Sequence, residues 1–135
     1  YRYRRCLIFA DGFFEWFQEP GKKGKSPYYF QLLSGEPFCF AGLWERWQHS
    51  DGSVIMSTTI ITTHANELVA PIHERMPVIL PPSIRKEWID PKPMHPSEMQ
   101  AFLLPYPGTE MSTFPVSLKV NDPKNDNGEI VKPID

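Results

Sequence analysis

A single acidic side chain, Glu15, stands within the aromatic run Phe13–Phe17. Aromatic neighbours exclude water, and a carboxyl group with little water around it takes a raised pKa. Such an acid can both donate and accept a proton near neutral pH, as general acid–base catalysis requires. The alternative is that strand alternation places Glu15 on the solvent face, and the spacing leaves both interpretations open.

A second candidate site combines His73 with Arg75, two positions further on and just before an apolar run. An imidazole titrates near physiological pH and can donate a proton, and a guanidinium can hold a phosphate with two hydrogen bonds. This pair suits a phosphate-bearing substrate. The alternative is that His73 has only a structural role.

Aromatic side chains offer a third kind of chemistry. The tryptophans Trp16, Trp44 and Trp47 could stack on unpaired bases, as single-strand binding proteins do. The alternative is that they pack in the core, and spacing cannot separate these two outcomes.

Other catalytic patterns are missing from the sequence. None of the four histidines stands in a paired zinc-binding spacing, and His73-Glu74 is not followed by a second histidine at the interval of a zinc protease. There is no glycine-rich phosphate loop and no Gly-x-Ser-x-Gly elbow. The sequence therefore predicts neither a metal centre nor a cofactor.

The overall charge limits where nucleic acid could bind. The 135 residues carry a net charge of -2, so the chain lacks the general basicity of most DNA-binding domains and any DNA site must be local. There are two basic clusters, Arg2, Arg4 and Arg5, and Lys22, Lys23 and Lys25. For the lysines of the second cluster, solvated surface charge is the favoured interpretation.

The two cysteines, Cys6 and Cys39, both stand in apolar runs. Thiols in such surroundings usually behave as small buried hydrophobic groups, so we expect both to be reduced core residues. The absence of a dense cysteine framework favours a cytosolic or nuclear compartment. No apolar run is long enough for a membrane span.

The elements that position these residues are mostly short strands, since 15 prolines disfavour a helical bundle. Residues 54–63 are rich in β-branched side chains and predict a central strand. A capping box from Ser97 to Gln100 predicts the start of a second short helix. The pattern predicts an α+β domain of mostly antiparallel sheet with a few short helices on one side. Predicted strands are 5–10, 13–17, 28–33, 38–43, 54–63, 76–80, 114–120 and 129–134, and predicted helices are 83–88 and 97–104.

The order of several motifs resembles the SRAP (SOS response-associated peptidase) family across nearly the whole chain. The specific blocks are ADGFFEW at 10–16 and IHERMPVIL at 72–80, joined by RCLI at 5–8, AGLWE at 41–45, IITT at 60–63, AN at 65–66, PVS at 115–117 and VN at 120–121. The resemblance implies a barrel-like SRAP fold. It also implies that residues 1–135 are the larger, C-terminal part of one SRAP domain.

What the resemblance implies for function is covalent capture of abasic sites in single-stranded DNA. In this family an N-terminal cysteine attacks the ring-opened sugar aldehyde and closes a thiazolidine. Glu15 would manage protons around the amine and the sugar, and His73 would help to open the deoxyribose ring and to reverse the link. Arg75 would hold a flanking phosphate, and Trp16 would pack near the displaced bases.

The family's Met-Cys-Gly-Arg start and Asn-Ala-Arg segment have no counterpart in these 135 residues. Neither Cys6 nor Cys39 can replace the N-terminal cysteine, because their amines are tied up in peptide bonds. Two other functions stay open, a thiol peptidase that acts on its own leader and a single-strand binding module without chemistry. We expect a monomer, located with the nucleoid of a bacterial cytoplasm or in a eukaryotic nucleus.

Overall fold

The computed structural model describes residues 4–134, which form nine short strands and two short α-helices. Three 3-10 turns also occur, at Gly108–Glu110, Leu118–Asn121 and Gly128–Val131. The strands are β1 (Arg5–Ala10), β2 (Phe13–Phe17), β3 (Ser26–Leu32), β4 (Phe38–Gln48), β5 (Val54–Ile60), β6 (Thr62–His64), β7 (Arg75–Pro77), β8 (Ile79–Leu80) and β9 (Met111–Pro115), and the helices are α1 (Pro82–Trp88) and α2 (Pro96–Gln100).

All strand pairs are antiparallel, so the predicted α+β class with mostly antiparallel sheet is confirmed. One sheet has the order β1-β4-β5 with β8 also paired to β4, a second has the order β2-β3-β9, and β6 pairs with β7. Within residues 4–134 these three sheets do not close into a barrel. Closure fails because β5 pairs only with β4 and leaves its other edge open.

The core is divided into two parts by β4, whose first residues are buried on both faces. Phe38 and Phe40 point to one side and pack with Phe30 of β3, whereas Ala41 points to the other side and packs with Trp88 of α1. This arrangement follows from the two-residue period of a strand. The first part of the core lies against the β2-β3-β9 sheet, which carries Glu15.

Arg5, from the first predicted basic cluster, is a structural residue. It is only 6% exposed, and its guanidinium donates to the backbone oxygens of Trp88 at 2.6 Å, of Lys92 at 3.0 Å and of Asp90. These bonds fasten β1 to the end of α1. Arg4 is exposed and pairs with Glu45, while Arg2 lies outside the described residues.

The prediction of a central strand at 54–63 is wrong in its placement. The segment divides at Ile61 into β5 and β6, and all seven residues of β5 are exposed because only β4 pairs with it. The β-branched residues favour an extended backbone, but they do not specify how many neighbours the strand acquires.

The second helix begins earlier than predicted, because His95 rather than Ser97 caps it. The His95 side chain accepts from the Ser97 N–H, and the Glu98 carboxylate accepts from the His95 N–H at 2.7 Å. Pro96 then occupies the first helical position, where a missing N–H is harmless. No helix within residues 4–134 is long and apolar enough to cross a bilayer.

Of the two C-terminal strand predictions, 114–120 is wrong in its bounds and 129–134 is wrong in kind, since Gly128–Val131 is a 3-10 turn. β9 ends at Pro115, and Val116 forms only an isolated bridge with Pro133. The side chains of Ser117 and Asn127 each accept a backbone N–H two residues ahead, which starts a 3-10 turn instead of extending a strand.

Candidate functional site

Glu15 lies in the middle of β2, directly opposite Tyr28 of β3. Its side chain shares a face of the sheet with Phe13, whose ring stacks on Phe30 with centroids 5.1 Å apart. This face packs against the core, and Glu15 is half-buried at its border. The carboxyl group therefore sits where apolar packing meets solvent.

Burial raises the pKa of Glu15 above its ordinary value. Three favourable interactions oppose that rise, namely the charge of His73, a hydrogen bond from the Trp16 backbone and the charge of Lys25, in decreasing order. Their combined effect does not cancel the desolvation. The fold therefore brings together an acid from β2, a histidine from a distant loop and a lysine from the β2–β3 loop.

The loop that carries His73 is organised by Asn66, a buried polar residue. Its Oδ1 accepts from the backbone N–H groups of Leu68 and Val69, both at 3.0 Å, and its Nδ2 donates to the Tyr106 carbonyl at 2.6 Å. The His73 N–H then donates to the Val69 carbonyl at 3.0 Å. Asn66 thus fixes the turn that delivers His73, a role that its place in the AN motif did not reveal.

The His73 ring is held by the backbone of Arg75. Its Nδ1 lies 3.0 Å from the Arg75 nitrogen and 2.9 Å from the Arg75 oxygen. An unprotonated Nδ1 can accept from the N–H, and a protonated Nδ1 can donate to the carbonyl, so both states have a partner. The orientation of the exposed ring is therefore fixed by the Arg75 backbone in either tautomer.

Arg75 begins β7 and is exposed next to His73. Its Nη2 donates to the carbonyl of Thr62 at 2.8 Å and to the Thr62 hydroxyl at 3.1 Å, which ties it to β6. This anchorage fixes the position of a positive charge beside the imidazole. Such a placement suits an anionic group that contacts both side chains.

Trp16 lies on the opposite face of β2 from Glu15, as strand alternation requires. Its Nε1 donates to Asn121 Oδ1 at 2.7 Å, and its ring centroid lies 6.3 Å from that of Phe14. The structure therefore brings Glu15 and His73 together and places Trp16 behind them. The sequence placed Asn121 in the VN motif but did not indicate this hydrogen bond to Trp16.

The other two candidate tryptophans, Trp44 and Trp47, belong to β4, in a different sheet from Glu15. The Arg4 guanidinium lies 5.4 Å from the centroid of the Trp44 ring, and Trp47 is 53% exposed with its ring against His49. Neither residue lies in the β2-β3-β9 sheet that carries the acid.

Both cysteines are free thiols, as predicted, but Cys6 does not lie in the core as expected. Cys39 is buried, and Cys6 is half-buried with a pKa that burial raises. A thiol with a raised pKa forms less thiolate, the reactive species. No cluster of three His, Cys, Asp or Glu side chains that could hold a metal ion occurs within residues 4–134.

The sequence of this chain is similar to those of bacterial abasic site processing proteins. The chain is 43% identical over 129 residues to the abasic site processing protein YoqW of Bacillus subtilis, a match that covers 96% of this chain and 57% of YoqW. It is 30% identical over 140 residues to the abasic site processing protein YedK of Escherichia coli, covering 99% of this chain and 60% of YedK. The chain thus spans little more than half the length of these two relatives.

Structural similarity agrees with the sequence matches. A crystal structure of a Bacteroides thetaiotaomicron protein superimposes with a TM-score of 0.88 at 28% identity, covering 98% of this chain and 58% of that protein. The family model of SOS response associated peptidase (SRAP) matches residues 1–123, which include Glu15, His73 and Asn121. On this match the chain belongs to the SRAP family.

Proposed function

We propose that the protein containing this chain captures abasic sites in single-stranded DNA through a covalent link. Relatives that carry the name abasic site processing protein support a DNA-damage role, although this chain spans little more than half of YoqW and YedK. The observation that carries the proposal is the approach of His73 to the half-buried Glu15. These two groups supply the proton transfers that the chemistry needs.

The chemistry begins with the closed sugar of an abasic site, which must open to an aldehyde. Opening takes a proton from the C1′ hydroxyl and gives one to the ring oxygen. The α-amine of an N-terminal cysteine then adds to the aldehyde carbon, and loss of water leaves an imine. The thiol adds to that carbon and its proton goes to the nitrogen, so a thiazolidine forms without net oxidation or reduction.

Glu15 is the group assigned to the imine step. Loss of water needs an acid that gives a proton to the leaving hydroxyl, and formation of the adduct needs a base that takes one from the amine. A carboxyl group whose pKa is raised by burial is protonated more often at neutral pH than an exposed one. It can therefore perform both tasks in turn.

His73 is the group assigned to ring opening and to reversal of the link. Its ring orientation is kept in both protonation states by the Arg75 backbone, which leaves Nε2 to exchange protons with the sugar. Arg75, tied to Thr62, would hold the phosphate beside the lesion. Trp16 would support the strand from the opposite face of β2 rather than stack beside the reacting sugar.

The nucleophile is neither cysteine of this sequence. Thiazolidine closure requires an amine and a thiol on one residue, and the amines of Cys6 and Cys39 are both in peptide bonds. We assign the nucleophile to an N-terminal cysteine of the whole protein. The expected site of action is the nucleoid of a bacterial cytoplasm or a eukaryotic nucleus.

The test is a denaturing gel of single-stranded DNA with one abasic site. The 135-residue chain is compared with a version that carries a family-type N-terminal segment beginning with cysteine. A shifted band only with the extended protein supports the proposal, whereas no band with either protein overturns it. Cleavage of an added peptide without a DNA band would favour the peptidase alternative.

Variants of the extended protein then separate the two roles. Glu15→Gln should slow adduct formation by about 100-fold or more, the lower end of the range that general acid–base catalysis contributes. His73→Ala should slow ring opening and reversal. Glu87→Gln, on the exposed side of α1, is the matched control and should react like the unaltered protein. Equal rates for Glu15→Gln and the control would remove Glu15 from the mechanism.

A further inference from the structure

A groove of about 680 Å³ lies between the β2–β3 loop and the 3-10 turn Leu118–Asn121. We call it the lysine groove. One wall carries three lysines and one glutamate, and the other wall is largely apolar. The residues that matter for its chemistry are Glu19, Lys22, Lys23, Lys25, Tyr28 and Leu118.

The loop that forms the cationic wall is ordered by its own hydrogen bonds. The carboxamide nitrogen of Gln18 lies 2.9 Å from the Lys22 carbonyl, 3.1 Å from that of Gly24 and 3.3 Å from that of Glu19. Gly21 and Gly24 take the positive φ angles of 78° and 84° that the tight path requires. The lysines are thus presented on a loop that a ligand does not have to order first.

The three lysines of the cationic wall differ in how far their charges are free to attract a ligand. Lys22 forms an ion pair with Glu19, so its charge is largely offset. Lys23 and Lys25 are exposed, and both line the groove. The net charge of the wall is positive, and these two lysines provide it.

The opposite wall presents apolar surface to solvent. Leu118 is 63% exposed and Ile134 is 49% exposed, and both line the groove together with Tyr28. Exposed apolar side chains next to lysines form a surface with two different characters. Such a surface matches a ligand that is anionic along one side and flat and apolar along the other.

A single strand of DNA has this combination, because its phosphates and its unstacked bases are both accessible. In a duplex the base faces are buried by stacking, so only the phosphates would contact the lysine groove. The groove is therefore better matched to single-stranded than to double-stranded DNA. A simple polyanion would use the cationic wall alone.

The lysine groove adjoins β2, the strand that carries Glu15, at two points. Asn121, at its border, accepts the hydrogen bond from Trp16, which lies on the opposite face of β2 from Glu15. Lys25, on its cationic wall, is close enough to Glu15 for its charge to lower the pKa of that carboxyl group. The groove and the Glu15 site therefore share β2 and the loop that follows it.

We infer that the lysine groove binds the nucleotides that flank the lesion in single-stranded DNA, with phosphates on Lys23 and Lys25 and bases against Tyr28 and Leu118. The inference rests on the proposed function and adds a second DNA-contacting surface to the Glu15 site. It reassigns lysines that the sequence alone left as solvated surface charge.

The first test is noncovalent binding of fluorescein-labelled oligothymidylate without an abasic site to the 135-residue protein, followed by anisotropy. Lys23→Glu should weaken binding by about fivefold or more at low salt, where surface charges are least screened. Lys23→Ala should reduce the slope of log affinity against log salt by about 0.7, the value for one phosphate contact on a single strand.

The matched control is Lys86→Glu, which makes the same charge change at an exposed position on α1. It should bind within about twofold of the unaltered protein, because only long-range attraction changes. Equal loss of affinity in Lys23→Glu and Lys86→Glu would overturn the groove, as would no binding by the unaltered protein at low salt. Thermal unfolding of each variant verifies that these exposed changes leave the fold intact.

The apolar wall has its own test. Leu118→Ser should weaken oligothymidylate binding but leave binding of inorganic polyphosphate unchanged, since polyphosphate has no bases. An unlabelled duplex should compete less well than a single strand. Equal competition by the duplex, or unchanged oligothymidylate binding in Leu118→Ser, would show that the groove recognises charge alone and would overturn the assignment of the bases. Equal loss of both ligands in Leu118→Ser would also overturn that assignment, because polyphosphate has no bases to contact Leu118.

The groove and the proposed function can fail separately. If the extended protein forms the abasic-site adduct while Lys23→Glu binds and reacts like Lys86→Glu, the groove is wrong and the function stands. If the groove variants behave as expected but the extended protein gives no adduct, single-strand binding stands without covalent capture.

Discussion

β3 and β5 are both seven residues long, yet the fold uses them in opposite ways. β3 pairs with β2 on one side and with β9 on the other, and its Phe30 is 0% exposed. Among residues 4–134, β5 pairs with β4 alone, and every residue of β5 is exposed. The difference shows that residues with high strand propensity favour an extended backbone. The number of paired strands then decides how much surface the strand buries and how much it stabilises the fold.

The candidate site lies beside the packed strand. Glu15 is opposite Tyr28 of β3, and the packing around β2 and β3 partly removes this carboxyl group from water. No such environment exists along β5, where each side chain reaches solvent. The environment of Glu15 therefore depends on the same contacts that bury β3.

The largest expected effect comes from Phe30→Ala in β3. Removing this fully buried ring leaves a cavity and should lower the free energy of unfolding by about 3–5 kcal/mol. Ile55→Ala in β5, where Ile55 is 50% exposed, should lower it by less than about 1 kcal/mol. Urea unfolding followed by tryptophan fluorescence measures both values. Similar losses in the two variants would contradict the comparison.

A smaller effect is expected from Gly12→Ala, just before β2. A methyl group at this position would lie 2.1 Å from Cζ of Tyr29, so the ring on β3 must move. We expect a loss of about 1–3 kcal/mol in urea unfolding, as for overpacked cores. Gly128→Ala is the control, since no atom lies within 4 Å of the added group and the stability should hardly change.

A still smaller, pH-dependent effect is expected from Glu15→Gln. Because burial raises the pKa of Glu15, its ionised form opposes folding at neutral pH and its protonated form does not. Glu15→Gln should therefore unfold at a higher temperature than the unaltered protein at pH 7. The gain should shrink as the pH falls through the raised pKa and disappear below the ordinary glutamate value of about 4.3.

Melting curves between pH 3 and pH 8 measure this difference, with Glu87→Gln on α1 as the matched control. A lower melting temperature for Glu15→Gln at pH 7, with a difference that disappears toward acid pH, would show that Glu15 is stabilised as an anion. The charges of His73 and Lys25 would then outweigh the desolvation.

The smallest effect is expected on β5 itself. Met56→Lys introduces a charge at a side chain that is 61% exposed, and it should change the free energy of unfolding by no more than about 0.5 kcal/mol. Urea unfolding again measures the change. A loss above about 2 kcal/mol would show that Met56 is buried in the folded protein and that β5 has a second neighbour.

The sequence predicted local structure well where short strands are separated by clear turn residues. The bounds of β1 and β2 agree with their apolar runs, and the turn at Asp11 and Gly12 separates them as expected. The strand predictions failed at β5 and after Pro115, because the sequence does not indicate which strand an extended segment pairs with. Partner choice depends on contacts between residues far apart in the chain, which local propensity does not contain.

The sequence named candidate residues for the site but did not indicate how they are arranged. Glu15, His73 and Arg75 were named from motifs, and the roles assigned to them stay predictions. The opposite orientation of Trp16, the loop anchor Asn66 and the proximity of Lys25 to Glu15 were not visible in the spacing. Each of these depends on which strands pair and in which register.

By itself the sequence determined the α+β class, the short strands and turns, and the family motifs, because these rest on local backbone preferences and residue identity. Only the tertiary structure decided that β3 is buried while β5 is exposed, and that the charges of His73 and Lys25 act on Glu15. The physical reason is that burial and charge proximity are properties of long-range packing. Two strands of equal length therefore acquire different roles once their neighbours are chosen.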